Sequence, residues 1–208
     1  MLTGTGISLR SKPSTKPSCS ATNGETRTRL NFAQGASMNP PLRLSDDDVV
    51  ARLAGIAPHG TTAELRAARS DASRFTQGSF DALFARDATA LSLDEKLAAA
   101  AYTAHLARAH DAADFYRQSI EAGDVRHVLD SFVADDLAPA GTEARLTAIL
   151  AHTRALSVLD ASADQPALGT LEHVGLSTPA IVALSQLVAF VSYQVRVVAA
   201  LRALEASA

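Results

Sequence analysis

The 208-residue sequence contains one cysteine and no tryptophan, and aromatics of all kinds make up only 5%. A single cysteine excludes an intrachain disulfide framework, a zinc ribbon and a CxxC dithiol. So few aromatic rings leave nothing from which to build a base-stacking platform or an antibody-like sandwich. Neither sign of charge dominates. With 19 basic and 22 acidic side chains the net charge is −3, which gives no footprint for nucleic acid or for an anionic membrane. A phosphate-cradling loop is also missing: the glycines are dispersed, and Gly4-Thr5-Gly6 lies in the N-terminal tail. What the chain does have is alanine, about a fifth of all residues, with few β-branched side chains. That balance favours helix throughout, and the length suits one domain plus a tail.

Residues 1–40 differ from the rest. Arg10, Lys12, Lys16, Arg27 and Arg29 face a single acid, Glu25, so this stretch carries +4 and the remainder −7. Rich in Ser, Thr, Gly and Asn, it has no apolar period and no h-region of a secretory signal. It reads as a disordered basic tail holding Cys19. An organelle transit peptide and a start upstream of the real one at Met38 both fit it, and the second is preferred. Residues 41–208 read as one helical domain.

Within that domain the helix signals come in order. Ser45 before Asp46-Asp47-Asp48 is a capping start, closed by Pro58-His59-Gly60. Thr62 to Arg74 gives a second helix, followed by the anchors Phe75, Phe80, Leu83 and Phe84. Ser92-Leu93-Asp94-Glu95 is a capping box, and no Gly or Pro intervenes from there to about Ala122, which predicts one long helix. Leu93, Leu97, Ala104 and Phe115 recur along one face of it. Further helices are expected from Asp124 to Phe132, after Thr142 (with Leu146, Ile149, Leu150 and Thr153 on one stripe), from Asp164-Gln165-Pro166 to Gly175, and from Ser177-Thr178-Pro179 to about Ala206. No segment alternates as a strand does. The fold class is all-α.

The last of these helices has no charge between Val174 and Val195. Pro179, Ser185, Gln186, Ser192, Gln194 and Arg196 argue against a bilayer span, so it is expected to be a long buried helix of the core or of a subunit contact. Gln186 and Gln194 fall near one face and would need buried partners.

Several residues then resemble a family. Leu91-Ser92-Leu93-Asp94-Glu95-Lys96 is similar to the LS-x-x-E-[RK] start found in the alkylhydroperoxidase D-like superfamily, which includes the carboxymuconolactone decarboxylases (CMD). Gly175-Leu176-Ser177-Thr178-Pro179-Ala180-Ile181-Val182 resembles that superfamily's "G-L-S, then helix" element. Leu184 to Val191 with Tyr193-Gln194-Val195-Arg196, and Arg145-Leu146 with Ile149-Leu150 and His152, resemble a subgroup described only as CMD domain proteins. The resemblance spans residues 45–208. It implies a compact AhpD-like helical bundle that assembles as a homo-oligomer (dimer, trimer or hexamer); a cytoplasmic location is expected, and the charge balance and the polar groups of the last helix point to no nucleic-acid or membrane partner.

The family's thiol-dependent members need CxxC, a relay Glu and a His: one thiolate attacks the peroxide and the other resolves the sulfenic acid. Laid onto this chain, the cysteines fall on Ala109 and Ala112, the Glu on Leu97, and the His near Phe115 or Tyr116. All are absent, and Cys19 has no resolving partner. A peroxidase reading is therefore the weakest. A lactone-decarboxylase-like member needs only acid–base groups beside an apolar pocket. On a continuous helix His105, Ala109, Ala112 and Tyr116 share one flank, with His105 and Tyr116 as the catalytic candidates and Ala109 and Ala112 leaving room for a small-molecule substrate. The plainer reading has His105 and Tyr116 bordering the core.

Arg108 and Asp111 would project onto the dry face of that helix, as a structural pair or with Arg108 clamping a substrate carboxylate. Arg196 carries the same two readings. His110 and Asp114 read as a solvated surface pair. His59, His127, His152 and His173 form no ligand array, so neither a metal nor a cofactor is expected. A catalytically inactive oligomeric scaffold is the competing function.

Overall fold

The computed structural model describes residues 47–85, 91–134, 143–160 and 165–207. The basic tail with Cys19 and Met38, the expected cap Ser45, the Pro139-Ala140-Gly141 turn, and Thr142 and Asp164 lie outside them. Among the described residues every regular element is helical. These are α1 (Val49–Ala54), α2 (Thr61–Ala67), α3 (Ser70–Phe84), α4 (Leu93–Leu106), α5 (His110–Gln118), α6 (Gly123–Val133), α7 (Ala144–Val158), α8 (Gln165–His173) and α9 (Thr178–Glu205).

Helix α4 sits at the centre, against α3, α5, α6, α7 and α9. Every residue from Glu95 to Ala104 is buried, and this is where the alanine-rich composition finds its use. Ala98, Ala99, Ala100 and Ala101 encircle the helix with small side chains, so neighbours on all sides can approach to the short end of the usual 8–10 Å interaxial range. The start of α4 is fixed as its sequence predicts. The Ser92 hydroxyl accepts from Glu95 N at 3.1 Å, and the Glu95 carboxylate accepts from Ser92 N at 2.7 Å. Glu95 also receives Arg145 Nε of α7 at 2.6 Å, tying the capping box to the bundle. The remaining acid of that turn, Asp94, caps the entry to α6 by accepting from Glu121 N and Ala122 N.

Helix α9 packs along α1, α2, α3, α4, α7 and α8. Ser177 caps it, Pro179 stands in its first turn, and Ala180, Leu184, Leu187, Val188, Val191 and Val195 point inward. By length and composition it could cross a membrane, but within this fold it is a core helix with one outward stripe. Gln186 lies on that exposed stripe and needs no internal partner, whereas Gln194 is fully buried. The eight-residue spacing, about 80° around a helix, is enough to separate them.

Two expected helices are divided. The segment read as Thr62–Arg74 breaks at Ala68 and Arg69 into α2 and the start of α3. The segment from Ser92 to Ala122 breaks at Ala107, Arg108 and Ala109 into α4 and α5. In α1, the cap is Asp48, whose carboxylate accepts from Ala51 N at 2.9 Å.

Candidate functional site

The division between α4 and α5 organises the site. Arg108 has φ 57°, the left-handed conformation usually left to glycine. Arg108 N donates to the carbonyl of His105 at 2.8 Å and Ala109 N to that of Ala104 at 2.9 Å, the paired bonds of a Schellman ending. An arginine in this conformation costs about 1–2 kcal/mol. Continuing the helix would cost more: Arg108 and Asp111 would both enter the dry face, and burying a charged pair carries a penalty of several kcal/mol per ion. With the chain turned, both are exposed, while Ala112, Phe115 and Tyr116 stay buried.

The turn opens a cleft of about 620 Å³ between α4, α5, α7 and α9. Its polar wall carries Arg108, Arg196, Arg202 and Ser157, and Leu106 and Val198 are among its apolar residues. Arg202 is already occupied: it pairs with Asp111 at 2.5 Å and donates to the Leu53 carbonyl at 2.6 Å. The expected Arg108–Asp111 pair is thus replaced by Arg202–Asp111. Arg108 and Arg196 have no ion-pair or hydrogen-bond partner through their side chains among the described residues, and both are exposed. The Ser157 hydroxyl is shielded from solvent and has no hydrogen-bond partner among the described residues. At the cleft's edge Ala109 is the N-cap of α5 and offers no capping side chain, so the first-turn amides of α5 add their positive end to the two free guanidiniums. Such a wall suits a small anion with an apolar body.

The five candidate site residues are not brought together. Arg108 and Ala109 line this cleft. His105 lines a smaller one, about 220 Å³, with His110, Asp114, Arg117 and Asp130. There the Arg117 guanidinium grips Asp130 through two bonds, of 2.6 and 2.5 Å, and holds its carboxyl below the usual range. The His105 ring lies parallel to that of Tyr102 at 6.3 Å between centroids. Tyr116 is in the core. Its ring stacks on Phe84 at 5.3 Å, its hydroxyl donates to Gln194 Oε1, and burial pushes the phenol well above its ordinary pKa. Ala112 is buried beside it on the same helix. The shared flank computed for one straight helix does not survive the turn at Arg108.

Two features were not anticipated as part of the cleft: Ser157, which carried no motif, and Arg202, near the chain's end. His152 is buried, neither of its ring nitrogens has a hydrogen-bond partner among the described residues, and burial lowers its pKa. Among the described residues no group of three or more His, Cys, Asp or Glu is placed to hold a metal ion. No family model, curated protein or solved structure matches the chain.

Proposed function

We propose that this chain is an AhpD-like, carboxymuconolactone decarboxylase-like protein that works without thiols and binds a small carboxylate at the α4–α5 turn. The observation that carries the reading is the cleft lined by Arg108 and Arg196, two cations without protein partners, beside the uncapped start of α5. The resemblance adds a second support. The positions where the family's cysteines fall, Ala109 and Ala112, are the N-cap and third residue of α5. A helix N-terminus is where a thiolate gains from the dipole, which supports laying the family's thiol positions on this turn, with alanines in place of the thiols. Leu97, at the relay position, is buried. What remains is a binding cleft in which the guanidiniums orient a carboxylate against Leu106 and Val198.

Binding to the full chain, followed by calorimetry with benzoate and with a γ-lactone carboxylate, tests this. A charge-assisted hydrogen bond contributes about 1.5–3 kcal/mol, so Arg108→Gln and Arg196→Gln should each weaken binding roughly tenfold to a hundredfold. Unchanged affinity in both variants would remove the reading.

The inactive-scaffold alternative has one observation of its own. The outward stripe of α9 exposes Val182 and Tyr193, with Ala189 between them and Ala200 two turns beyond. A cytoplasmic homo-oligomer that meets through this stripe is part of the same proposal, and it is compatible with an occupied cleft.

A further inference from the structure

A separate cleft of about 270 Å³ runs between α2, α3 and α9. Its walls are mostly apolar: Val197 and Leu201 face it, with Leu65 and Leu204, which are 55% and 47% exposed. Large leucines half open to water in a concave groove are an incomplete core, and burying them favours any occupant with matching apolar surface. Among the described residues two cations stand at the groove. Arg66 is consumed by Asp48, to which it donates twice at 2.8 and 2.6 Å. Arg69 is exposed, and its guanidinium has no ion-pair or hydrogen-bond partner among the described residues.

Size narrows the occupant. A helix 10–12 Å across would fill 270 Å³ with only about 3 Å of its length, so a partner helix could only lie over the groove and not within it. The volume lies just below the range of about 300–1,000 Å³ typical of drug-sized ligands, which suits a single unbranched chain. One free cation beside one apolar trough calls for one negative charge on one apolar tail. We propose that this cleft binds a medium-chain alkanoate, with its tail along Val197, Leu201 and Leu204 and its carboxylate on Arg69. The site shares no residue with the cleft at Arg108 and Arg196, so it stands or falls independently of the carboxylate binding proposed there.

The test is calorimetric titration of the full chain with hexanoate, octanoate and decanoate, and with 1-octanol as the uncharged control. Each buried methylene contributes about 0.8 kcal/mol, so affinity should rise about fourfold per methylene until the groove is full. Arg69→Gln should weaken octanoate at least tenfold while leaving octanol unchanged. Leu204→Asp, at a half-exposed position that tolerates a polar group, should weaken both. Affinity independent of chain length, or octanoate binding indifferent to Arg69→Gln, overturns the proposal. Loss of octanoate in Arg108→Gln with Arg69→Gln unaffected places the ligand in the other cleft and also overturns it. So does a concentration-dependent dimer in which octanoate cannot compete for the groove.

Discussion

Tyr116→Phe is the substitution whose consequence the structure states most directly. The Tyr116 ring is fully buried against Phe84 and Phe115, and phenylalanine fills the same space. Only the hydroxyl is lost, and with it the donor to Gln194 Oε1. Gln194 is itself fully buried, and its Nε2 already has no partner among the described residues. The variant therefore strands the whole amide in the core. Leaving a buried acceptor unmade costs about 1–3 kcal/mol, which for a chain of this size lowers Tm by roughly 2–4 °C per kcal/mol. Gln194→Leu should cost less, within about 1 kcal/mol, because losing the unpaired Nε2 offsets orphaning the Tyr116 hydroxyl. The double variant has neither orphan and should be at least as stable as the parent. Urea denaturation of all four proteins closes the cycle, with an expected coupling of about 1–3 kcal/mol. Additive effects, or a Tyr116→Phe variant within about 0.3 kcal/mol of the parent, would refute the assignment of Tyr116 to the core. Loss of ligand binding at unchanged stability would return it to the site.

Two further outcomes follow from single residues. Burial depresses the His152 pKa in the folded state, so below about pH 6.5 the unfolded chain takes up a proton that the native state resists. Stability should hold level above that pH and fall as pH drops through 6.5 toward 5; His152→Leu should flatten this slope and, by removing two unpaired nitrogens, stabilise at neutral pH by about 1–3 kcal/mol, both read from Tm between pH 5 and 8. Arg108→Gly should relieve the left-handed strain and stabilise by about 1 kcal/mol while weakening carboxylate binding; a fall in Tm would show that the turn is held by the arginine side chain and not in spite of it.

Much of the bundle was legible because its signals are local. The Ser92–Glu95 capping box, the Ser177 cap with Pro179, and the left-handed Gly175 after α8 are chemistry within four residues, and each appears where the sequence puts it. The internal stripe of α7 likewise follows from spacing alone. Partners across the bundle were not legible. Nothing in the sequence says that Tyr116 finds Gln194, that Arg145 finds Glu95, or that Asp111 finds Arg202. Those pairings depend on how helices dock.

The turn at Arg108 lies between these cases, and it decides the site. Glycine and proline are the usual punctuation of a helix, and neither occurs between Ser92 and Ala122, so a reading based on breakers extends one helix across the whole stretch. That reading carries its own contradiction: it drives Arg108 and Asp111 into the core-facing stripe between Ala104 and Phe115. The conflict is removed by one residue in the left-handed region, at a cost below that of a buried ion pair. Charged residues at core positions of a long predicted helix are thus evidence for a break, even when every residue is a helix former. Had the conflict been taken as a break, α5 would have begun near Ala109. Ala109 and Ala112 would then have been read as positions of a helix N-terminus, with Tyr116 turned away from His105. The same displacement exposes Arg108 to the cleft it shares with Arg196, so the residue that looked most misplaced on the helix is the one best placed to meet a ligand.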